Sequence, residues 1–250
     1  MPAMDYSQVA ELYDSYVQTD LDVAFFLQEA QGCRNVLELA SGTGRLSIPL
    51  LQARVPLSCL DNSPEMLAVL SRKLHEQGLS APVHEMDMID FSLAEKFDLI
   101  IVPFNAFAEI IDPAAQQRAL ATIRAHLAPT GRLICTLHNP VARSKNIDGQ
   151  IHARGQYALP ANQGTLWLSS QEHYDPVSRL VTGAQLYELH GPDGVLQSKW
   201  SLDLKFFLHS RETFQALIEG QGYQIIAVYG DYAHIPFQPE TSPFMIWALA

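Results

Sequence analysis

The sequence predicts a doubly wound α/β fold interrupted by an antiparallel insertion, and three observations carry that prediction. From residue 35 to residue 139, short apolar runs alternate with segments of helical period. The first apolar run ends in two glycines one residue apart, Gly42 and Gly44, which open onto a helical segment. After Pro140 the alternation gives way to three long strand-like stretches, and a last helix and two strands then restore it. A chain of 250 residues fits one large α/β domain or one domain carrying an insertion. The expected organisation is a nucleotide-binding domain over 1–140 and 210–250, with an antiparallel β insertion at 141–209 laid over its sheet.

Each element has its own justification. Val9, Leu12, Tyr13 and Tyr16 fall on one helical stripe, and Val23, Phe26, Leu27 and Ala30 on another, so residues 1–30 are expected to form two short helices. Asn35–Ala40 is the first strand, followed by the glycine turn and a helix from Arg45 to Ala53. Leu57–Leu60 is the second strand and ends at Asp61. Ser63 suits the N-cap of the next helix, Pro64 its first position and Glu65 its positive end, while Gly78 stops it. Pro82–Glu85 is a short third strand. Phe97–Val102 is almost wholly apolar, as a parallel strand covered on both faces requires. Asp112-Pro113 opens a helix, and Pro129-Thr130-Gly131 turns the chain into strand Arg132–Leu137. Residues 141–163 have no clear period and read as a loop or lid. Strand-like stretches follow near 164–174, 179–190 and 195–208; in the last, Trp200, Leu202, Leu204 and Phe206 alternate with polar residues. Ser210 caps a helix, and Gln224–Val228 and Phe244–Leu249 are the sixth and seventh strands of a seven-stranded sheet.

Composition narrows the function classes. The net charge is −11, and the 16 Lys and Arg are scattered, which disfavours a phosphate backbone as partner. No apolar run reaches membrane-span length, and residues 1–6 have neither a basic nor an apolar leader region, so a cytoplasmic protein is expected. Cys33, Cys59 and Cys135 sit apart in apolar surroundings and read as buried thiols in a reducing compartment. The histidines show no metal-ligand spacing, and no metal is assigned.

In an open α/β sheet, ligands bind at the carboxyl ends of the strands. Those ends carry the glycine turn, Asp61, Asp87, Asn105 and His138. Neither glycine has a Cβ to keep a ligand from the backbone. Asp61 lies 17 residues after Gly44, where an acid accepts the two hydroxyls of a ribose. A nicotinamide dinucleotide meets these conditions so far. Two details count against it: Ser47 stands where a third small glycine-type residue is expected, and Glu38 precedes the turn. A carboxylate there repels a pyrophosphate and suits a ligand bearing an ammonium.

Taken together, Glu38-Leu39-Ala40-Ser41-Gly42-Thr43-Gly44, Leu60-Asp61-Asn62-Ser63-Pro64-Glu65-Met66-Leu67, Asp87-Met88, Phe97-Asp98-Leu99-Ile100 and Leu127-Ala128-Pro129-Thr130-Gly131-Arg132-Leu133 resemble the class I S-adenosylmethionine (SAM)-dependent methyltransferases. The resemblance covers roughly residues 35–139, and Ser41 departs from the cysteine that many members carry. It implies a Rossmann-like methyltransferase fold, SAM as cofactor and S-adenosylhomocysteine as product. It also implies that Glu38 and the backbone around Ala40, Gly42 and Gly44 hold the methionine end, with Arg45 a candidate for its carboxylate. By the same resemblance Asp61 and Asn62 hold the ribose, Met66 the adenine face, and Asp87 and the Met88 N–H the adenine edge. Phe104 and Asn105 lie alongside the sulfonium.

Methyl transfer requires a placed, unprotonated nucleophile. His138 is the candidate base, and Tyr13, Tyr187 and Tyr232 are candidate acceptor contacts, with Trp167 and Tyr174 on the insertion able to close over the site. The insertion makes the arrangement similar to amino-sugar N-methyltransferases and glycine N-methyltransferase. That likeness implies that the insertion at 141–209 acts as a substrate cover over a small-molecule acceptor, methylated on nitrogen more readily than on oxygen. The alternatives are a SAM-dependent enzyme of another transfer type, a non-catalytic nucleotide-binding module, and a nicotinamide oxidoreductase.

Overall fold

The architecture comes from a computed structural model that describes residues 4–250. Residues 1–3, the start of the expected nucleotide-binding domain and of the stretch read as leader-free, lie outside the described residues. Two helices lead the chain, α1 (Ala10–Tyr16) and α2 (Val23–Glu29). Then β1 (Val36–Leu39), α3 (Ser47–Gln52), β2 (Leu57–Asp61), α4 (Pro64–Glu76), β3 (Val83–Glu85) and β4 (Phe97–Val102) alternate. A 3-10 turn at Ala106–Glu109, α5 (Pro113–His126) and β5 (Leu127–His138) complete the first half.

The helix starts follow from their capping residues. Ser63 Oγ accepts the Met66 N–H at 3.3 Å with Pro64 at the first position. Asp112 accepts the Ala114 and Ala115 N–H groups at 3.2 Å. Strands β1 and β2 are buried at every position, as parallel strands sandwiched between helix layers must be.

From Pro140 the chain forms α6 (Pro140–Ser144), β6 (Ile151–Ala158), β7 (Thr165–Asp175), β8 (Leu180–His190) and β9 (Leu196–Phe207). It closes with α7 (Arg211–Gly220), capped by Ser210, then β10 (Ile225–Tyr229) and β11 (Phe244–Leu249). Two sheets result: a seven-stranded sheet ordered β10-β11-β5-β4-β1-β2-β3, and a four-stranded antiparallel sheet ordered β6-β7-β8-β9.

One expectation needs correction. The region 141–163 is not a loop: it contains α6 and the edge strand β6. Most of β6 is exposed and its register breaks between Ala153 and Gly155, so it shows no apolar alternation and is held by its pairing with β7. The large sheet is mixed. Strands β1 to β5 are parallel, but β11 runs antiparallel to both β5 and β10. No helix lies between β10 and β11, so the chain returns without the crossover that a parallel pair requires.

The large sheet is covered on both faces. One apolar cluster contains Phe107, Phe214 and Trp247, the other Phe25, Phe26 and Leu70. Each such side chain contributes roughly 1.5–3 kcal/mol by its removal from water. The second sheet has its own cluster of Val9, Leu166, Tyr187 and Leu202. Val181, Phe206 and Leu208 join the first cluster of the large sheet, which fixes the two sheets together. Helix α1 spans the join: Val9 packs with the second sheet, and Ala10 packs on Met66 and Val69 of α4. The strand order reverses between β1 and β4, so the carboxyl ends of β1, β2, β4 and β5 open on one crevice.

Candidate active site

The crevice holds a cavity of about 650 Å³, bounded on one side by the strand ends of the large sheet and on the other by the second sheet. Ala40, Gly42, Asp61, Asn62, Met66, Asp87, Met88, Phe104, Asn105 and His138 all line it, and so does Tyr13 from α1.

The turn after β1 is built from left-handed backbone. Ala40 has φ 57°, Gly42 53° and Gly44 85°. The two glycines do different work. A Cβ on Gly42 meets nothing within 4 Å, so its backbone borders open space. A Cβ on Gly44 would lie 2.4 Å from Leu70 Cδ1, so this glycine lets α4 approach the turn, and it does not line the cavity. Close packing on Leu70, not ligand approach, is the spatial demand at Gly44.

Asp61 is held by the backbone: Oδ2 accepts the Gly42 N–H at 2.7 Å and Oδ1 the Ser63 N–H at 2.9 Å. Burial raises its pKa despite those hydrogen bonds. Asp87 sits just past β3, its Oδ1 accepting the Ile89 N–H at 2.9 Å. The neighbouring Met86 N–H donates to the Asp61 carbonyl at 3.0 Å, which keeps the two acids on one wall.

Glu38 is buried behind the turn and does not line the cavity. It accepts the Ser47 hydroxyl at 2.6 Å, and burial pushes its carboxyl up to about 8 despite that bond. Ser47, which weighs against a dinucleotide turn, is thus the partner of Glu38. The adjacent Ser41 hydroxyl is buried without a hydrogen-bond partner.

Arg45 also stays off the cavity wall. It makes a bidentate pair with Asp22, both contacts at 2.6 Å, and donates to the Thr19 carbonyl at 3.0 Å. Its guanidinium lies 4.6 Å from the centre of the Phe104 ring. A buried guanidinium requires a carboxylate, and the protein supplies one. Arg45 therefore supports Phe104 and the turn from behind, where a ligand carboxylate had been expected to occupy it.

Phe104 and Asn105 follow β4 with φ 54° and 66°, two consecutive non-glycine residues in the left-handed region. Asn105 Oδ1 accepts the His138 N–H at 2.9 Å, which joins the ends of β4 and β5. The His138 ring stacks on Phe244 at 6.1 Å. Burial and then the Arg143 guanidinium lower its pKa to about 4, so the imidazole is neutral and weakly basic at neutral pH.

The expected acceptor contacts separate. Tyr13 faces the cavity, edge-on to Tyr6 and Tyr16. Tyr187 is fully buried, stacked on Trp200 at 5.4 Å, and its hydroxyl donates to Gln185 at 2.8 Å; Gln185, not Tyr187, lines the cavity. Tyr232 lines an adjoining cavity of about 100 Å³ that shares Phe104, Asn105 and His138 with the larger one. Trp167 is 42% exposed and stacks on His190, away from the cavity, and Tyr174 packs against the core. In the loop after β10, His234 pairs with Glu29 at 2.7 Å and does not line the cavity.

Several lining residues escape the sequence reading. Glu109 accepts the Tyr6 hydroxyl at 3.0 Å. Burial pushes the Glu109 carboxyl up to about 8. From the second sheet and α6 come Glu172, Leu204, Phe206 and Arg143. The detectable signal for Glu109 is a single acid inside the apolar stretch 103–111. For Glu172 and Arg143 the signal is distributed: they are distant in sequence and meet only when α6 folds against β7.

Comparison with known proteins agrees with this layout. Residues 36–131 match the family described as "Methyltransferase domain". A glycine/sarcosine N-methyltransferase of Halorhodospira halochloris is 26% identical over 230 residues, which are 88% of this chain and 76% of that protein. A dTDP-3-amino-3,6-dideoxy-alpha-D-glucopyranose N,N-dimethyltransferase of Streptomyces fradiae is 29% identical over 143 residues, 53% of this chain and 54% of its own. Among solved structures, an S-adenosylmethionine-dependent methyltransferase from Clostridium acetobutylicum ATCC 824 superposes with a TM-score of 0.81 at 18% identity, covering 98% of each chain.

Proposed function

We propose, for a chain that is a SAM-dependent methyltransferase, that it carries a methyl group to the nitrogen of a small-molecule acceptor held between its two sheets. The observation that carries this reading is the single cavity shared by Asp61 and Asp87 on one wall and Gln185 and Phe206 on the other. The residues present suit the cofactor. Gly42 leaves its Cβ space open, the Ser41 hydroxyl is buried and unpartnered, and Glu38 is a buried carboxyl with no cation in ion-pair contact among the described residues. A ligand ammonium near Glu38 would offset the cost of ionising it.

When bound, SAM supplies a methyl group on a positively charged sulfur, with a neutral thioether as leaving group. The chain's part is placement and exclusion of water. A carboxylate has about four lone-pair positions. Asp61 uses two on Gly42 and Ser63, which leaves capacity for ribose hydroxyls. We assign Asn62 beside the ribose, Met66 to the adenine face, and Asp87 with the Met88 N–H to the adenine edge. Phe104 and Asn105 border the reacting end, their side chains held by Arg45 and His138.

Nitrogen is favoured over oxygen by the state of His138. An imidazole with a pKa near 4 is a poor base for a hydroxyl, whereas an amine needs only to arrive without its extra proton. We assign His138 as a neutral neighbour of the acceptor, residues 141–209 as the acceptor-facing subdomain and the remainder as the donor-binding domain. Among the described residues no helix is long and apolar enough to cross a membrane, and we place the reaction in the cytoplasm on the three free cysteines.

The test is S-adenosylhomocysteine release from SAM across matched amine and hydroxyl acceptors, with thermal-shift titration beside it. Stabilisation by S-adenosylhomocysteine and turnover of amines is the expected outcome. Turnover of hydroxyls alone would refute the nitrogen assignment, and stabilisation by NAD alone would refute the cofactor.

A further inference from the structure

One acid on the cavity wall has no role in the donor site outlined above. Glu109 ends the 3-10 turn that follows Asn105, faces the cavity and accepts the Tyr6 hydroxyl. The titratable groups around it are Tyr6 from the segment before α1, Tyr13 from α1 and Asp61 from the end of β2. Both tyrosines are pushed up by burial and stay neutral. Among the described residues no lysine, arginine or histidine lies within ion-pair distance of Glu109. Burial holds Glu109 protonated in the ligand-free site, and because only neutral phenols and another acid surround it, an arriving cation is the group that would favour its ionised form.

The opposite wall completes the inference. Arg143 is the one arginine or lysine among the described lining residues. Its guanidinium is already paired with Glu172, which is 6% exposed and also takes Arg154 at 3.1 Å and the Ser170 hydroxyl at 3.2 Å. An acceptor carboxylate or phosphate on this wall would meet the buried Glu172 carboxylate and compete with it for Arg143, which is unfavourable. The remaining groups on that wall, Gln185, Leu204 and Phe206, suit a neutral hydroxylated body.

We propose that the acceptor is an amine bearing neither carboxylate nor phosphate, and that Glu109 is the residue that receives its nitrogen. This rests on the N-methyl transfer reading above. An incoming ammonium gives one proton to a Glu109 oxygen; the nitrogen keeps the N–H electron pair as its lone pair, and the carboxylate becomes a neutral carboxyl. Burial makes that carboxyl hold the proton near neutral pH and return it to water afterwards.

The test compares glucosamine and ethanolamine with glucosamine 6-phosphate and glycine as acceptors, using wild type, Glu109→Gln and Glu109→Asp, with S-adenosylhomocysteine affinity measured by calorimetry. Expected is a kcat/KM at least roughly 10-fold higher for a neutral-bodied amine than for its anionic counterpart. Glu109→Gln loses on the order of 100-fold in kcat/KM and the acid limb of its pH profile, Glu109→Asp restores part of both, and S-adenosylhomocysteine affinity stays unchanged. Anionic amines turned over as well as neutral ones, no turnover of either neutral amine, or a Glu109→Gln variant that keeps its acid limb would overturn the proposal. If wild type binds no S-adenosylhomocysteine, the methyltransfer reading itself falls, a result distinct from failure of the acceptor assignment.

Discussion

Asn105 and His138 are joined side chain to backbone, the Asn105 carboxamide oxygen accepting the His138 N–H at 2.9 Å across the ends of β4 and β5. The bond ties a left-handed residue of one strand end to the first group of the next strand's exit. Asparagine tolerates this conformation better than other non-glycine residues. Asn105→Ala therefore loses the staple and strains the backbone together. Its kcat is expected to fall roughly 10- to 100-fold, with less than about a 3-fold change in S-adenosylhomocysteine affinity. Asn105→Asp keeps the acceptor atom and is expected to retain most of the rate, in initial-rate assays against calorimetric affinity.

Asp61 accepts the Gly42 and Ser63 N–H groups, and in the proposed assignment its free lone pairs take the ribose hydroxyls. Asp61→Ala removes both functions, and calorimetry is expected to show S-adenosylhomocysteine binding weakened on the order of 100-fold. Asp61→Asn retains one acceptor oxygen and should fall between. Wild-type affinity in Asp61→Ala would end the ribose assignment.

Glu38 makes the ligand-free protein sensitive to alkali. Its folded-state pKa, about 8, exceeds the ordinary glutamate value of 4.5, so the folded chain holds a proton that the unfolded chain releases. The associated stability is present below pH 4.5 and is lost as pH rises through 8. Urea unfolding of Glu38→Gln is expected to lose less stability between pH 6 and 8.5 than wild type does. S-adenosylhomocysteine affinity of wild type should rise over the same window, because pairing with a ligand ammonium requires the ionised carboxylate. A flat affinity profile would separate Glu38 from the ligand ammonium.

The Arg45–Asp22 pair predicts an asymmetric mutational cost. Asp22→Ala leaves a buried guanidinium uncompensated and should destabilise the protein by about 3–5 kcal/mol in denaturant titration. Removing both charges, as Asp22→Leu with Arg45→Met, should cost less than the single change. Equal losses would show that the pair acts only through packing.

Much of this was legible because it is local. The caps at Ser63, Asp112 and Ser210 and the apolar strand Phe97–Val102 each declare themselves within a few residues, and the helices and strand stand where those signals put them. The crevice-facing acids Asp61 and Asp87 follow from strand ends in the same way. What escaped depends on distant partners. Arg45 reads as a ligand contact until Asp22 is known to occupy it, and Tyr187 reads as an acceptor contact until Trp200 is found stacked on it. Strand β6 carries no period of its own, because an exposed edge is specified by its neighbour β7. Glu109 became visible only when the segment before α1 brought Tyr6 against it.

The chain leaves the large sheet at His138 and reaches α7 at Arg211, and Arg143, Glu172, Gln185, Leu204 and Phe206 all lie between those points. One uninterrupted stretch of coding sequence therefore specifies the wall opposite the glycine turn. Exchange of that stretch between diverging genes can replace this wall while Asp61, Asp87 and the glycine turn pass through untouched. Under the proposed assignment, new acceptors become reachable there without altering the residues that hold the cofactor.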